Sequence, residues 1–501
     1  MTHEMRSPWL PKGSARPLAL AGFIMLVAHG MPAHGQQSSR SKNPTVVAES
    51  LQGVNPSTAP PPRPAYVATT SRCPQVQQWD PQMRLCMPNG VTVESQKSDG
   101  VGAPQPDSPT PVRPKPADTL TASSSCPPGQ SRDPSMGMCM PGQARSETTL
   151  TFQLNQFMVY SKTSGPRGQS RLTGPGLFML MYDTELTPKN HLRIDVMGSP
   201  EQLTVGDRGT PQLLQTDHID NMHAHDTLMA LEFRDVVALG ADDRQKLTFL
   251  FAPRGEAAIG PVPFMHRESA AGNPDAPLGH GLQDGFHDAS TVLGIEYQNG
   301  PTTLEATAFS GQNVTWPFPM HRPDSYGLRV NQGLGDHVSV GASYADALLP
   351  LDAGGVEHNR FISAWLTTSH QFHGDSLKSA FIWGQGRTGH DAALNSFLEE
   401  GLFTHGRNHF YGRAELLQLS PDQLSIVPAN GAADAKWVEA LTVGYERALV
   451  ERGQLTLFVG GSYTKDFIPA GFQPAYGSNP GGVKVYLRIA LDRSLMMEKA
   501  R

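Results

Sequence analysis

The chain has 501 residues, 17% of them charged, and a formal net charge of −6, so it offers no basic face to nucleic acid and that class of partner is excluded. Only 38% is hydrophobic, while 50 glycines and 43 prolines favour short strands, turns and a disordered segment over a helical core. The proline-rich composition lies before about residue 147 and the strand-like pattern after it.

Residues 1–35 read as a Sec-type signal peptide. Arg6, Lys12 and Arg16 supply the positive flank, "LALAGFIMLVA" (Leu18 to Ala28) the apolar core, and Ala33-His34-Gly35 a small-x-small exit that leaves Gln36 to begin the mature chain. The run is too short for a membrane helix, and no later stretch approaches the roughly 20 apolar residues one needs. A place in the membrane therefore requires a β-barrel.

Residues 36–147 form a tail rich in Pro, Ser, Thr, Gln and Gly, a composition too poor in apolar surface to offset its conformational entropy. Two islands interrupt it. "CPQVQQWDPQMRLCMP" (Cys73 to Pro88) and "CPPGQSRDPSMGMCMP" (Cys126 to Pro141) share the ungapped pattern C-P-x5-D-P-x-M-x2-C-M-P, an internal duplication that holds all four cysteines. In an exported chain the simplest expectation pairs Cys73 with Cys86 and Cys126 with Cys139. The competing reading takes Met83, Cys86 and Met87, with Met136, Met138, Cys139 and Met140, as soft donors suited to Cu(I).

From residue 148 to 501 the chain repeatedly alternates apolar and polar residues over eight to eleven positions and then turns. Examples are "HLRIDVM" (from His191), "TLEATAF" (from Thr303), "HVSVGASY" (from His337), "SLKSAFIWG" (from Ser376), "HFYGRAEL" (from His409), "LTLFVGGSY" (from Leu455) and "VKVYLRIAL" (Val483 to Leu491). A soluble sandwich also alternates, so the polar face decides. It carries Arg193, Asp195, Glu305, Arg329, Arg413, Glu415, Glu446, Lys484 and Arg488 at mid-strand, and aromatics such as Phe309, Tyr344 and Tyr463 are expected on the opposite face. Lipid outside and a wet, charged lumen inside account for that division. The expected fold is all-β: an antiparallel transmembrane β-barrel of roughly 12 to 16 strands after a disordered Pro-rich region. The chain runs on past Leu491 into "DRSLMMEKAR", without the terminal aromatic common in such barrels.

The segment "GEAAIGPVPFMHRESAAGNPDAPLGHGLQDGFHDASTVLGIEY" (Gly255 to Tyr297), followed by "LEATAFSGQ" and "RNHFYGRAELLQ", resembles an uncharacterised family of proteobacterial outer-membrane barrel proteins typically encoded near copper and heavy-metal efflux genes. The likeness covers most of the chain from about 150 onward. It departs at "FSGQNVTWPFPMHRPDS", where that family usually continues with an acidic G-R-E-P-D-type segment. It implies an outer-membrane location and a link with metal handling, with metal-efflux components and outer-membrane lipid as partners, and it brings no reaction with it.

The stretch "DHIDNMHAHD" (Asp217 to Asp226) gathers His218, His223 and His225 with Met222 and three aspartates just before an expected strand from Thr227. Imidazole, carboxylate and thioether donors of this kind suit zinc or copper. Met265 and His266, then His280, Asp284 and His287, form a second set, and Met320-His321 a third. If the long loops fold over one mouth, these groups converge. The plainer reading is a polar loop with ordinary histidines.

HExxH, G-x-S-x-G and P-loop signatures are absent. His337 and Ser339 stand two apart on one side of a strand, reminiscent of the H-x-S pair of lipid A deacylases. The leading expectation is a non-enzymatic pore or channel-like barrel in copper or zinc handling; a structural or adhesive barrel and a lipid-acting hydrolase are the alternatives.

Overall fold

The computed structural model describes residues 77–80, 85–88, 130–132, 139–141 and 148–497, the last range without 241–243, 312–319, 351–355, 390 and 428–433. The signal peptide, Cys73, Cys126 and most of the tail lie outside the described residues. Within the tail, Gln77–Asp80 pairs antiparallel with Leu85–Pro88, and Gln130–Arg132 with Cys139–Pro141. The registers are equivalent, Trp79 facing Cys86 and Arg132 facing Cys139, as the sequence duplication requires.

The strands after residue 147 close on one another into an antiparallel barrel. Among the described residues it has sixteen: β1 (Thr148–Thr163), β2 (Gly176–Thr187, with Ser170–Thr173 as its outer piece), β3 (Asn190–Gly198), β4 (Ala230–Ala238), β5 (Gln245–Gly255), β6 (Ala289–Asn299), β7 (Thr302–Ser310), β8 (Ser325–Gly333), β9 (Val338–Pro350), β10 (Val356–Phe372), β11 (Asp375–Thr388), β12 (Leu394–His405), β13 (Asn408–Leu419), β14 (Lys436–Arg452), β15 (Leu455–Phe467) and β16 (Gly481–Met497). Each pairs with its sequence neighbour, and β16 pairs back to β1 along its whole length, from Gly482 opposite Thr163 to Met497 opposite Thr148. Residues 492–497 are therefore strand, because β1 supplies them with a partner.

Alternation dictates the two faces. Phe249, Phe251, Leu293, Ile295, Val443 and Val485 point outward and are exposed, as a lipid-facing band requires. Phe372, Phe403, Phe410 and Tyr445 follow one another near the short-turn end, at ring separations of 6.2, 6.3 and 5.1 Å, as an interfacial girdle. The inward face holds Asp195, Glu305, Arg329, Arg413, Glu415, Glu446, Lys484 and Arg488, all buried. Phe309 departs from expectation. It shares parity with Glu305, faces the lumen and is fully buried against Phe286, 5.8 Å away.

The two ends differ. At one end the strands join through tight turns, such as His373-Gly374, where both residues take positive φ (53° and 90°), the type I′ geometry that matches strand twist. Thr148 and Met497 lie at this end. Long loops emerge at the other.

Candidate functional site in the lumen and at its mouth

The loop from residue 256 to 288, between β5 and β6, does not stay outside the barrel. It crosses the lumen to β12 and β13, six to eight strands away round the sixteen-strand ring, and reaches β16 on the other side. Arg267 reaches Glu400 on β12 at 2.6 Å, and the Leu278 amide donates to Glu415 on β13 at 2.5 Å. Arg413 donates to the Asp275 carbonyl at 2.7 Å, Lys484 pairs with the Asp275 carboxylate, and the Tyr486 hydroxyl donates to the Gly272 carbonyl at 2.8 Å. On the near side Ala257, Ile259 and Phe286 pack with Leu250, Val292, Phe309 and Phe361. Residues of other long loops, Leu213, Leu214, Leu424, Phe472 and Tyr476, pack with Leu278 of the crossing loop in one buried cluster.

A second loop, 199–229 between β3 and β4, carries the opening histidine stretch. Its shape is local. Leu214, Ile219 and Asp220 adopt positive φ (65°, 24° and 64°), and Asp220 stabilises the turn by accepting from the Leu214 amide at 2.9 Å and from Arg167 at 3.1 Å. The strand expected from Thr227 begins at Ala230, so His223 and His225 belong to this loop.

The two loops bring five of the six sequence-predicted histidines together. Ring centroids run from His218 to His223 at 6.2 Å, His223 to His225 at 5.3 Å, His225 to His287 at 5.5 Å and His287 to His280 at 5.1 Å. His218 is exposed and His223 half-buried, while His225, His280 and His287 are buried, so the row leads inward from water. Each of three rings is oriented through Nδ1 by a carboxylate: His223 by Asp217 at 3.2 Å, His225 by Glu201 at 2.9 Å and His280 by Asp284 at 2.5 Å. Among the described residues, the buried Nδ1 of His287 has no hydrogen-bond partner. The histidines form a file rather than a shell: among the described residues no three His, Cys, Asp or Glu side chains are gathered as one metal-holding group.

Burial, with His280 and His225 nearby, pushes His287 down to about 3, and burial lowers His266 to about 4, so both rings are neutral with a lone pair available. Burial opposes charge on His225, but the Glu201 carboxylate outweighs it and raises that pKa.

The remaining candidates separate from the file. His266 sits deeper, its Nε2 3.0 Å from the Met197 sulfur. Met222 is buried with Phe264, Ala270 and Ala276, and Met265 packs beside it. Met320 is exposed and the His321 amide donates to Thr291, with no described contact bringing that pair to the file. His337 directs Nδ1 to the Ser369 carbonyl at 2.9 Å and lies against His370, and Ser339 is not among its described partners.

Sequence reasoning did not reach Glu201, Arg254 or Asp288. Arg254, at the loop end of β5, pairs with Asp226 at 2.7 Å and Asp288 at 2.8 Å, each the neighbour of a histidine in the file. Nor did it reach Met179, Met181 and Met197, whose only signal was alternation in "GLFMLMYD" and "DVM", or Met229, which lies just before β4.

No protein-family model and no curated protein matches the chain. Among solved structures it is similar to the anion-selective porin from Comamonas acidovorans (14% identity, 69% of this chain and 100% of that one, TM-score 0.45). Similar too are Salmonella typhi OmpF in complex with daunomycin (9%, 69% and 98%, 0.45) and the outer-membrane channel DcaP of Acinetobacter baumannii (10%, 70% and 99%, 0.43). The chain's own closed strand order defines its class, an antiparallel transmembrane β-barrel with sixteen strands among the described residues.

Proposed function

We propose that this is a non-enzymatic, channel-like barrel of the Gram-negative outer membrane, exported through residues 1–35, that takes a transition-metal ion, copper or zinc, at its long-loop mouth. The observation that carries the reading is the file of five histidines. Two successive long loops contribute to it, it runs from exposed His218 to buried His280, and carboxylates orient three of its rings. Imidazoles held by carboxylates are the usual build of Zn(II) and Cu(II) ligands. A file of donors about one ring apart suits stepwise passage better than tight capture.

A structural barrel without ligand is the second reading, favoured by the loop that crosses the lumen and is tied to the far wall by buried ion pairs. Two measurements on the full chain separate them. Conductance in a planar bilayer distinguishes a pore from a closed scaffold. Uptake of Cu(II) and Zn(II), compared with a His218→Ala/His223→Ala/His225→Ala variant, tests the metal. Near-stoichiometric uptake that the triple variant loses is expected; equal weak uptake by both leaves the scaffold reading.

A further inference from the structure

The interior of this barrel mixes buried charges with apolar clusters, and one of those clusters stands apart in its composition. On β2 the inward positions are Leu177, Met179 and Met181, and on β3 Met197 lies opposite Met179 in register. Met229, at the end of the second loop, is fully buried beside them, and Met265 of the crossing loop packs on top. Ten methionines follow residue 147, and five of them meet here. The lumen clusters built around Phe309, Tyr411 and Tyr476 contain none; they use Leu, Ile, Val, Ala, Phe and Tyr. Core packing alone gives no reason for that segregation, since Leu or Phe fills space with better-defined rotamers.

Two further observations point to a ligand. His266 turns a ring nitrogen to the Met197 sulfur at 3.0 Å, placing an imidazole and a thioether together at a buried point. A cavity of about 40 Å³ opens beside the patch, lined by Met222, Met229 and Met265 with His225 and Glu201. It is large enough for a small hydrated or bare cation. On the opposite side, His266 lines a cavity of about 280 Å³ that extends to Pro301 and Asp336 in the short turns. The patch therefore lies between the inner part of the histidine file and the short-turn vestibule.

We propose that Met179, Met181, Met197, Met229, Met265 and His266 form a binding site for a soft monovalent transition-metal ion, Cu(I) or Ag(I), at the inner end of the histidine file. Neutral thioether sulfurs are soft donors that favour such ions over Zn(II), Ca(II) or Mg(II). The donor set is five thioethers and one imidazole with no carboxylate among them; the nearest charges, Asp195 opposite Met181 and Glu201 on the cavity wall, are engaged by Arg193 and His225. Unbranched methionines can swing their sulfurs toward an ion without moving the backbone. The inference deepens the metal-handling reading, and rests on it only for the direction of travel; the site itself stands on the methionines.

The test uses the full chain with Cys73, Cys86, Cys126 and Cys139 all changed to Ser, so that tail thiols do not bind the probe. Ag(I), which needs no reductant, is titrated into this parent and into the same chain with Met179→Leu, Met197→Leu and Met229→Leu. These are near-isosteric changes that a core tolerates. The shift of the unheated barrel band on a denaturing gel checks that both are closed. Ag(I) affinity is expected to fall by at least about tenfold in the leucine variant, with sulfur scatterers in the X-ray absorption spectrum of the parent only. Zn(II) and Cu(II) uptake at the histidine file is expected to be equal in the two proteins. Equal Ag(I) binding by both, or a parent spectrum without sulfur, overturns the site. Loss of Ag(I) binding in the leucine variant alongside absence of Zn(II) and Cu(II) uptake in both leaves the methionine site standing and removes the histidine reading.

Discussion

Asp226 and Asp288 share one guanidinium: Arg254 Nη2 reaches the first at 2.7 Å and the second at 2.8 Å. One aspartate follows His225 and the other follows His287, so a single arginine on β5 sets the distance between the two halves of the histidine file. Arg254→Met keeps the strand and most of the stem volume but frees both loops. Affinity for Cu(II) is expected to fall by about 10- to 100-fold, the usual effect of removing a support behind metal ligands, with the barrel still closed. Titration calorimetry on wild type and variant checks it.

Glu201 is a sharper case. Its two oxygens accept from the Gly176 amide at 2.9 Å, the His225 amide at 2.8 Å and the His225 ring at 2.9 Å, so it fixes the ring and the backbone that carries it. Glu201→Gln keeps the shape and loses the charge. A drop in Cu(II) affinity of about tenfold is expected, with little change for Ag(I), whose proposed site does not use this carboxylate. Parallel titrations with the two ions decide.

The crossing loop hangs on Glu400, which serves Arg267 at 2.6 Å, Arg413 at 3.1 Å and the Ser269 hydroxyl at 2.8 Å. Removing Arg267 leaves Glu400 with Arg413 and Asp284 with His280. Removing Glu400 leaves Arg267 with Asp284 at 2.7 Å but strips the buried Arg413 guanidinium of the carboxylate it pairs with. Glu400→Ala is therefore expected to cost about 3 kcal/mol or more and Arg267→Ala clearly less, while both raise single-channel conductance by loosening the loop. Thermal unfolding of the detergent-solubilised barrel and planar-bilayer recordings measure the two effects; equal melting of both variants contradicts the asymmetry.

Much of the fold was legible because strand alternation is a local signal. Arg413 and Glu415, or Lys484 and Arg488, could be assigned to a wet face from spacing alone. Phe309 could not be placed by residue type, since an aromatic near a strand end belongs to the girdle unless a loop folds inward to cover it, and only Phe286 reveals that. The histidine file was half legible. Composition marked His218, His223 and His225 as one group and His280 and His287 as another, but their meeting depends on Arg254, whose role is set by strand order. His266 was grouped with its sequence neighbours, yet it turns the other way, toward Met197. The methionine patch was missed for the same reason: Met179 and Met197 face each other only through the β2–β3 register.

The tail hairpins allow a further check. Their equivalent registers set Cys86 and Cys139 at matching positions, and the duplicated pattern sets Cys73 and Cys126 at matching distances from them. Protein exported to the periplasm is expected to have no titratable thiol, and digestion is expected to release Cys73 joined to Cys86 and Cys126 joined to Cys139. Each ring so closed is expected to contribute roughly 2 to 3 kcal/mol of local constraint. Peptides cross-linked between the two repeats contradict this pairing.

The seam between β1 and β16 has a consequence for how the molecule is made. Thr148 waits for Met497, and Thr163 for Gly482, so the first barrel strand to leave the ribosome cannot complete its hydrogen bonds until the last has been synthesised. Throughout that interval β1 carries an open row of amides and carbonyls, the kind of edge that recruits stray strands. Loss of even residues 492–497, which pair with Gln153 back to Thr148, would unzip the seam from the short-turn end and leave an apolar sheet with a free margin. In a chain whose every other neighbour is adjacent in sequence, this one long-range pairing decides whether synthesis ends in a closed ring or in an aggregate.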